Sequence, residues 1–421
     1  MSRASKPSFV FILADDLGYA DLGCYGGRGN CSPNLDRLAA EGLRFTDGYA
    51  NSPVCSPTRF ALATGRWQYR LRGGADEPIA SRSRGSEILG LPPDHPTLAS
   101  LLRDAGYATA LVGKWHLGFP PKFGPLKSGY QEFFGPMSGA VDYFTHCDPA
   151  GVHDLWHGER EVHRSGYLTD LLTEEATAFV RNAKGEPFLL SLHYTAPHWP
   201  WETRADASES ERIGGRISHV DGGSVATYLE MIRAMDEGIG RLMRELDDNT
   251  VVVFTSDNGG ERFSDNWPLV GGKMDLLEGG IRVPYIVRWP MGGVIPQLAI
   301  TMDWVATFLD AADIAPHTDH PLDGVSLLRK HSRRELFWRM KFRSQKAMRA
   351  EGWKWLSIEG NEFLFDLAKD QRERANLARR EPGKLEEMRS RYAAWEATLP
   401  PIPDDARVSV VYGPSDIPRP S

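Results

Sequence analysis

Residues 9–16 read FVFILADD, six consecutive apolar residues followed directly by two aspartates. A short run that is apolar on both faces is typical of a strand buried inside a parallel sheet. Further strand-like runs are found at 107–112, 187–194, 251–255 and 285–289. Helical patterns alternate with them at 33–41, 96–105, 168–183 and 224–246. This alternation predicts an α/β fold with a mostly parallel sheet sandwiched by helices.

The pattern changes after about residue 328. Short strand-like segments with tight turns follow at 335–340, 347–351, 354–358 and 362–366. A charged helix is predicted at 382–397, and a proline-rich tail comes after it. We therefore predict two domains: an α/β domain over 1–328, and a smaller antiparallel sheet with a helix and a tail over 329–421.

Composition excludes several classes of protein. The chain has 421 residues, of which 41% are hydrophobic and 25% charged, so disordered, collagenous and coiled-coil proteins are excluded. The net charge is −7 and there is no long basic block, so we expect no nucleic-acid partner. The apolar run at 9–14 is too short for a signal peptide or a membrane span. A soluble, cytoplasmic chain without a membrane partner is predicted.

Oxygen-bearing side chains follow two of the predicted strands. Asp15 and Asp16 come after the first strand, and Asp257 and Asn258 come after the strand at 251–255. Ligands of open α/β sheets bind beyond the carboxyl ends of the strands, so these residues are candidates for one site. Carboxylate and amide oxygens favour Ca²⁺ or Mg²⁺ over zinc. The alternative is that they are ordinary turn residues.

Cationic side chains are predicted near the same edge. The candidates are Arg59, Lys114, His116, His198 and Lys273. Together with a metal, so much positive charge suits a tetrahedral anion, either phosphate or sulfate. Cys55 stands just before a helical stretch, where the helix end and a nearby arginine would favour a reactive thiolate. The alternative is a buried structural cysteine, and the four cysteines lack the CxxC spacing of a zinc site.

Two longer motifs resemble signatures of the formylglycine-dependent (type I) sulfatases of the alkaline phosphatase superfamily. CSPTR at 55–59 with TGR at 64–66 is similar to the first, and GYAT to GKWH over 106–116 is similar to the second. The segment EGGIRVP at 278–284 is also typical of that family. The resemblance implies an alkaline-phosphatase-like fold and hydrolysis of sulfate esters. It also implies that a maturation enzyme oxidises Cys55 to formylglycine, whose hydrate is the nucleophile.

The resemblance assigns a role to each candidate. One Ca²⁺, with Mg²⁺ as the other candidate, would be held by Asp15, Asp16, Asp257 and Asn258. Arg59 would stabilise the ionised diol, Lys114 would lie between that diol and the sulfate, and Lys273 would contact the sulfate. His198 would donate a proton to the leaving alcohol, and His116 would take one from the second hydroxyl of the diol.

The substrate is expected to be a sulfated sugar or another small organic sulfate. The loop residues proposed to bind it are Arg72, Asp142, His146, Trp199 and Trp201. Aromatic rings can stack on a sugar and arginine can bind a second anion, although aromatics are also commonly core residues. Two alternatives stay open: a phosphatase or phosphonate monoester hydrolase of the same superfamily, and a sulfate-ester-binding protein whose Cys55 is never matured.

Overall fold

The computed structural model describes residues 6–214, 217, 222–289 and 297–409. The strands are β1 Ser8–Ala14, β2 Leu43–Phe45, β3 Gly48–Tyr49, β4 Ala108–Gly113, β5 Glu132–Gly135, β6 Trp156–His157, β7 Arg160–Glu161, β8 Phe188–His193, β9 Thr250–Ser256, β10 Tyr285–Arg288, β11 Ala299–Ile300, β12 Glu335–Arg339, β13 Lys346–Ala350, β14 Trp353–Ile358 and β15 Asn361–Asp366. The α-helices are α1 Pro33–Glu41, α2 Cys55–Thr64, α3 Leu98–Asp104, α4 Leu168–Asn182, α5 Ala207–Ile213, α6 Val225–Met243, α7 Glu278–Ile281, α8 Asp303–Ala311 and α9 Pro382–Glu396.

The large sheet has the strand order β2-β10-β9-β1-β8-β4-β5-β6-β7. Its centre, from β9 to β5, is parallel, whereas β10 and β2 at one side and β6 and β7 at the other are antiparallel. Every residue of β1, β8 and β9 is buried, as expected for parallel strands covered on both faces. The predicted mostly parallel α/β fold is therefore confirmed.

Alternate residues of β1 enter two different hydrophobic cores. Val10 and Ile12 pack in the core that includes residues of α4 and α6. Phe9 and Phe11 point to the opposite face, where the Phe9 and Phe308 rings lie 4.4 Å apart. Burying a large apolar side chain contributes about 1.5–3 kcal/mol, so each face gives the central strands a substantial share of their stability. The two cores fix the strand ends that carry the site.

A second sheet joins β12, β13, β14 and β15 by antiparallel pairing, and α9 contacts it. This confirms the predicted C-terminal sheet with a helix. Trp338 and Met348 of this sheet share a hydrophobic core with Tyr49 and Cys55 of the preceding part of the chain. The division at residue 328 stays a prediction, and the tail beyond residue 409 lies outside the described residues.

The start of one helix differs from the sequence expectation. The helix predicted at 96–105 begins only at Leu98, because Thr97 caps it. The Thr97 hydroxyl accepts from the Ser100 N–H at 3.0 Å, and the Ser100 hydroxyl accepts from the Thr97 N–H.

Within the ranges that the structure covers, no helix combines the length and the apolar character that crossing a bilayer requires.

Candidate active site

The oxygen-bearing residues meet at the carboxyl end of the sheet. β1 and β9 are paired in parallel, with their last residues in register, so the residues that follow them are brought together. The Asn258 Nδ2 donates to Asp16 Oδ1 at 2.7 Å, and the Asp16 N–H donates to Asp257 Oδ1 at 3.4 Å. Asp15 lies in the same group, and all four side chains are buried.

Two buried lysines bind this group. Lys114 follows β4, and its Nζ donates a short hydrogen bond to Asp15. The Lys273 Nζ donates to Asp16 Oδ2 at 2.7 Å. Burial acts to raise the pKa of Asp16, but the charges of Lys273 and His198 outweigh it and hold that pKa below its usual range. Asp16 is therefore a carboxylate, and positive charge surrounds it.

Helix α2 supplies Cys55 and Arg59, which lie four residues apart and hence on one face of the helix. Both Nε and Nη2 of Arg59 donate to Asp257 Oδ2, at 3.0 and 2.8 Å. Its Nη1 donates to the carbonyl oxygen of Lys114 at 3.0 Å. Arg59 is 1% exposed, so this guanidinium is locked between the ends of β9 and β4.

The Cys55 thiol is in a different state from the one that its position on a helix suggests. Burial raises the pKa of Cys55 to about 11, although the charges of Lys114 and Lys273 act in the opposite direction. The expected activation of a thiolate by the helix end and Arg59 is therefore wrong for this chain, because the cost of burying the charge is larger. A protonated thiol is a poor nucleophile.

Two histidines complete the edge of the site. The Nε2 of His198 lies 3.5 Å from Asp16 Oδ2, and its Nδ1 lies 2.7 Å from the carbonyl oxygen of Trp199. His116 places its Nε2 2.6 Å from the carbonyl oxygen of Ile79, which leaves its Nδ1 without a hydrogen-bond partner among the described residues. Burial, together with nearby lysine charges, holds both histidine pKa values well below their usual value. Both imidazoles are therefore neutral.

A cavity of about 400 Å³ opens at this edge. Its described lining includes Cys55, His116, His198, Lys273 and Trp199, all of which the sequence predicted as site residues. The sequence did not single out the other lining residues, which are Pro78, Ile79, Ala80, Ser81, Arg82, Gly139, Ala140, Pro149, Ala150 and Ser409. Most of these lie on loops without a periodic pattern, so the sequence carried no signal that would have found them.

Two of the predicted substrate-binding residues are engaged elsewhere in ion pairs or hydrogen bonds. Arg72 binds Asp76 at 2.6 Å and Asp405 at 3.1 Å. Asp142 is fully buried, and its Oδ1 accepts from the Ser210 hydroxyl at 2.6 Å and from two backbone N–H groups. Both side chains therefore stabilise loops, and neither is among the residues that line the cavity.

Trp201 and His146 are also buried away from the described cavity lining. Trp201 is 5% exposed and packs edge-to-face on Phe263, with ring centroids 4.7 Å apart. His146 is 1% exposed, and its ring lies 6.3 Å from that of His153. Of the five predicted substrate-binding residues, the structure brings Trp199 to the cavity.

The oxygen cluster has the properties of a site for a hard divalent cation. Asp15 Oδ1 and Asn258 Oδ1 are buried and have no hydrogen-bond partner in the described structure. Burial raises the pKa of Asp257 to about 7, and the charge of Asp15 acts in the same direction. Oxygen ligands, including carboxylates, are those that Ca²⁺ and Mg²⁺ take, and a cation would offset the repulsion between them.

Comparisons with known proteins place the chain in a family. The Sulfatase family model matches residues 7–314. N-acetylgalactosamine-6-sulfatase of Sus scrofa is 36% identical over 357 residues, which cover 76% of this chain and 65% of that protein. Arylsulfatase J of Mus musculus is 30% identical, with 96% and 78% covered. The chain thus spans less than two thirds of the first relative but more of the second.

A solved structure of similar fold agrees with these sequence matches. The crystal structure of Ps i-CgsB in complex with k-i-k-neocarrahexaose superimposes with a TM-score of 0.80, at 32% identity and 93% coverage of both chains. The signature residues at 55–59 and 106–116 lie inside the matched family region. With the family model covering most of the chain, this protein belongs to the sulfatase family.

Proposed function

We propose that the chain hydrolyses sulfate esters to an alcohol and inorganic sulfate, and that its substrate is a sulfated sugar or another small organic sulfate. The observation that carries the proposal is the meeting of Cys55, His198 and Lys273 at one cavity, beside the buried oxygen cluster. Buried cations next to an open cavity suit an anionic group held by several oxygens. The relatives named as sulfatases support the same chemistry.

The proposal includes a divalent cation on Asp15, Asp16, Asp257 and Asn258. Ca²⁺ is favoured over Mg²⁺, because Ca²⁺ takes six to eight oxygen ligands in flexible geometry. When bound, the cation would supply Lewis-acid chemistry to an ester sulfate. The two orphaned oxygens, on Asp15 and Asn258, support the assignment.

The proposal also includes oxidation of Cys55 to formylglycine by a maturation enzyme. The raised pKa of the thiol supports it, because the unmodified side chain is protonated and unsuited to attack. The hydrate of formylglycine would supply the hydroxyl nucleophile in its place. The family signature at 55–59 supplies the sequence context for that modification.

The chain's own residues handle charge and protons. Lys114 and Lys273 hold ammonium groups beside the carboxylates and would neutralise the charge of the sulfate. The Nδ1–H of His198 donates to the Trp199 carbonyl oxygen, so Nε2 is the nitrogen that would face the leaving alcohol. His198 would have to take up a proton at Nε2 before it could protonate that alcohol, and the negative charge of a bound sulfate would favour this imidazolium form. His116 would accept a proton at Nδ1, the ring nitrogen that has no partner in the described structure. The neutral imidazole of His116 can act as a base as it stands, whereas His198 acts as an acid only after protonation.

The cavity also suggests which esters fit. Its lining combines apolar side chains, such as Ile79 and Trp199, with Arg82, which is exposed and donates to the Ser409 hydroxyl at 2.8 Å. An apolar surface with a few placed polar groups suits the face of a sugar ring. Arg82, rather than the predicted Arg72, is the arginine placed to meet a second anionic group.

A substrate panel with matched cysteine variants tests the proposal. Sulfate release is measured from sulfated monosaccharides, sulfated disaccharides, an aryl sulfate and a phosphate monoester, after co-expression with a maturation enzyme. Cys55→Ala is expected to abolish turnover, whereas Cys147→Ala, a change at a half-buried cysteine outside the cavity lining, should leave it unchanged. Peptide mass spectrometry should show Cys55 converted from CH₂SH to CHO. Full activity of Cys55→Ala, or a preference for the phosphate ester, would overturn the proposal.

A further inference from the structure

A cluster of three potential metal ligands lies at the hairpin formed by β6 and β7. His153 precedes β6, Glu161 ends β7, and His163 follows it. The Nδ1 of His153 lies 2.9 Å from Glu161 Oε1, and the rings of His153 and His163 are 4.1 Å apart. One nitrogen or oxygen from each of the three lies within 4.8 Å of the others.

We propose that His153, Glu161 and His163 bind a zinc ion that is distinct from the cation of the active site. Two imidazoles and one carboxylate form a set that zinc uses when a water completes the coordination. The corners of a tetrahedral zinc site lie about 3.4 Å apart for zinc–nitrogen bonds of about 2.1 Å. Glu161 Oε1, which lies 2.9 Å from His153 Nδ1, would have to move slightly away from it, and the His163 ring would have to adjust its position. Both side chains can make these small movements because they are exposed.

The chemistry of the cluster separates it from the active site. Imidazole nitrogens favour zinc, whereas the oxygen set of Asp15, Asp16, Asp257 and Asn258 favours a hard cation. A simple ion pair would explain the contact between His153 and Glu161, but it does not involve the second imidazole, whose ring lies 4.1 Å from that of His153 at an angle of 31°. A shared metal ion explains all three positions together.

A zinc ion at this place would connect the hairpin to the wall of the cavity. Cys147 and His153 form an antiparallel β-bridge, and Pro149 and Ala150, on the loop between them, line the cavity. His146 lies beside the cluster, with a buried Nε2 that has no hydrogen-bond partner in the described structure. Zinc would therefore hold the loop 147–153 against the hairpin. This inference does not depend on sulfate ester hydrolysis.

Zinc binding to the purified protein tests the inference directly. The protein is dialysed against ZnCl₂ in excess CaCl₂, and bound zinc is counted by elemental mass spectrometry. The double variant His153→Ala/His163→Ala should bind one zinc per chain fewer than the wild type. His157→Ala should bind as much as the wild type, because His157 lies on the same hairpin but outside the cluster. An equal zinc content in the double variant and the wild type would overturn the inference.

A thermal shift separates the two metal sites and guards against misfolding. Without zinc, the double variant should have the circular dichroism and unfolding midpoint of the wild type. With zinc, the midpoint should rise in the wild type and in Asp257→Asn but not in the double variant, since a ligand stabilises the state that binds it. A rise that Asp257→Asn abolishes would assign the zinc to the active site and refute the inference.

Discussion

His198 is the residue whose placement makes the sharpest kinetic prediction. Its Nε2 lies 3.5 Å from Asp16, at the edge of the cavity, and its Nδ1 is held by the Trp199 carbonyl oxygen. If Nε2 protonates the leaving oxygen, His198→Ala should lower kcat for sugar sulfates by about 10²–10⁴. A nitrophenyl sulfate should lose far less, because nitrophenolate leaves without a proton. The measurement is kcat for both ester classes in the variant and the wild type.

Trp199→Ala is the matched control for that experiment. Trp199 is the next residue and lines the same cavity, so its removal should affect substrate binding. We expect a higher KM for sugar sulfates, with little dependence on the leaving group. Equal losses for aryl and sugar sulfates in His198→Ala would show that His198 is a sulfate ligand and not the acid.

The residues of the site divide into those that the sequence could predict and those that it could not. Asp15 and Asp257 follow buried strands, so the end of the apolar run located them. Arg72 and Trp201 could not be judged in this way, because one partner of each comes from a distant part of the chain. Arg72 pairs with Asp405, and Trp201 packs on Phe263, contacts that only the folded chain creates.

At the scale of elements, the C-terminal sheet supports the loop that carries Lys273. The side-chain amide of Gln345 donates to the Met274 carbonyl oxygen at 2.8 Å and accepts from the Leu276 N–H at 2.9 Å. Gln345 is fully buried, so these bonds are shielded from water. The sheet thus fixes the backbone directly after a residue of the proposed sulfate site.

A buried ion triad also connects the C-terminal sheet to helix α7 of the preceding α/β part of the chain. Lys354 on β14 is 0% exposed and contacts Glu278 of α7 at 3.0 Å and Glu373 at 2.8 Å. Lys354→Met removes the buried cation that both carboxyl groups contact, and among the described residues only Glu278 keeps another cation, Arg282 at 3.5 Å. We therefore expect the free energy of unfolding to fall by about 3–5 kcal/mol. Urea denaturation followed by circular dichroism measures the change.

Lys369→Met is the control for that variant. Lys369 pairs with Asp366 at the end of β15, but its side chain is 85% exposed, so the unfolding midpoint should hardly move. Similar losses in both variants would mean that methionine, rather than the broken triad, causes the destabilisation.

Elements differ in how far local sequence determines them. The strands β1 and β9 were evident because their apolar runs require burial on both faces. The antiparallel edges could not be predicted, since β6 and β7 have two residues each and owe their pairing to the neighbouring β5. Short strands carry too few residues for a periodic pattern.

For the molecule as a whole, one buried carboxyl pair should make stability depend on pH. Glu202 and Asp142 are both fully buried, and Glu202 Oε1 and Asp142 Oδ2 each have no hydrogen-bond partner in the described structure. Burial raises the pKa of Glu202 to about 9, and the charge of Asp142 acts in the same direction. Glu202 is therefore protonated in the folded chain at neutral pH, whereas in the unfolded chain it ionises near the ordinary glutamate pKa of 4.5.

The sign of the effect follows from proton binding. Between pH 4.5 and about 9 the folded chain holds one proton more at Glu202 than the unfolded chain does, so raising the pH favours unfolding. The stabilisation is fully present below pH 4.5 and is lost as the pH rises through 9. Glu202→Gln does not titrate, so its stability relative to the wild type should increase with pH, by at most about 1.4 kcal/mol per pH unit.

Unfolding midpoints of both proteins at about pH 5 and about pH 8 measure this difference, and other titrating groups cancel in the comparison. Glu159→Gln serves as the control, because Glu159 is exposed and lies on the hairpin turn. Its difference from the wild type should stay constant across the two pH values. If Glu202→Gln shows the same constant difference, Glu202 is ionised in the folded chain, and another group must balance the charge that it shares with Asp142.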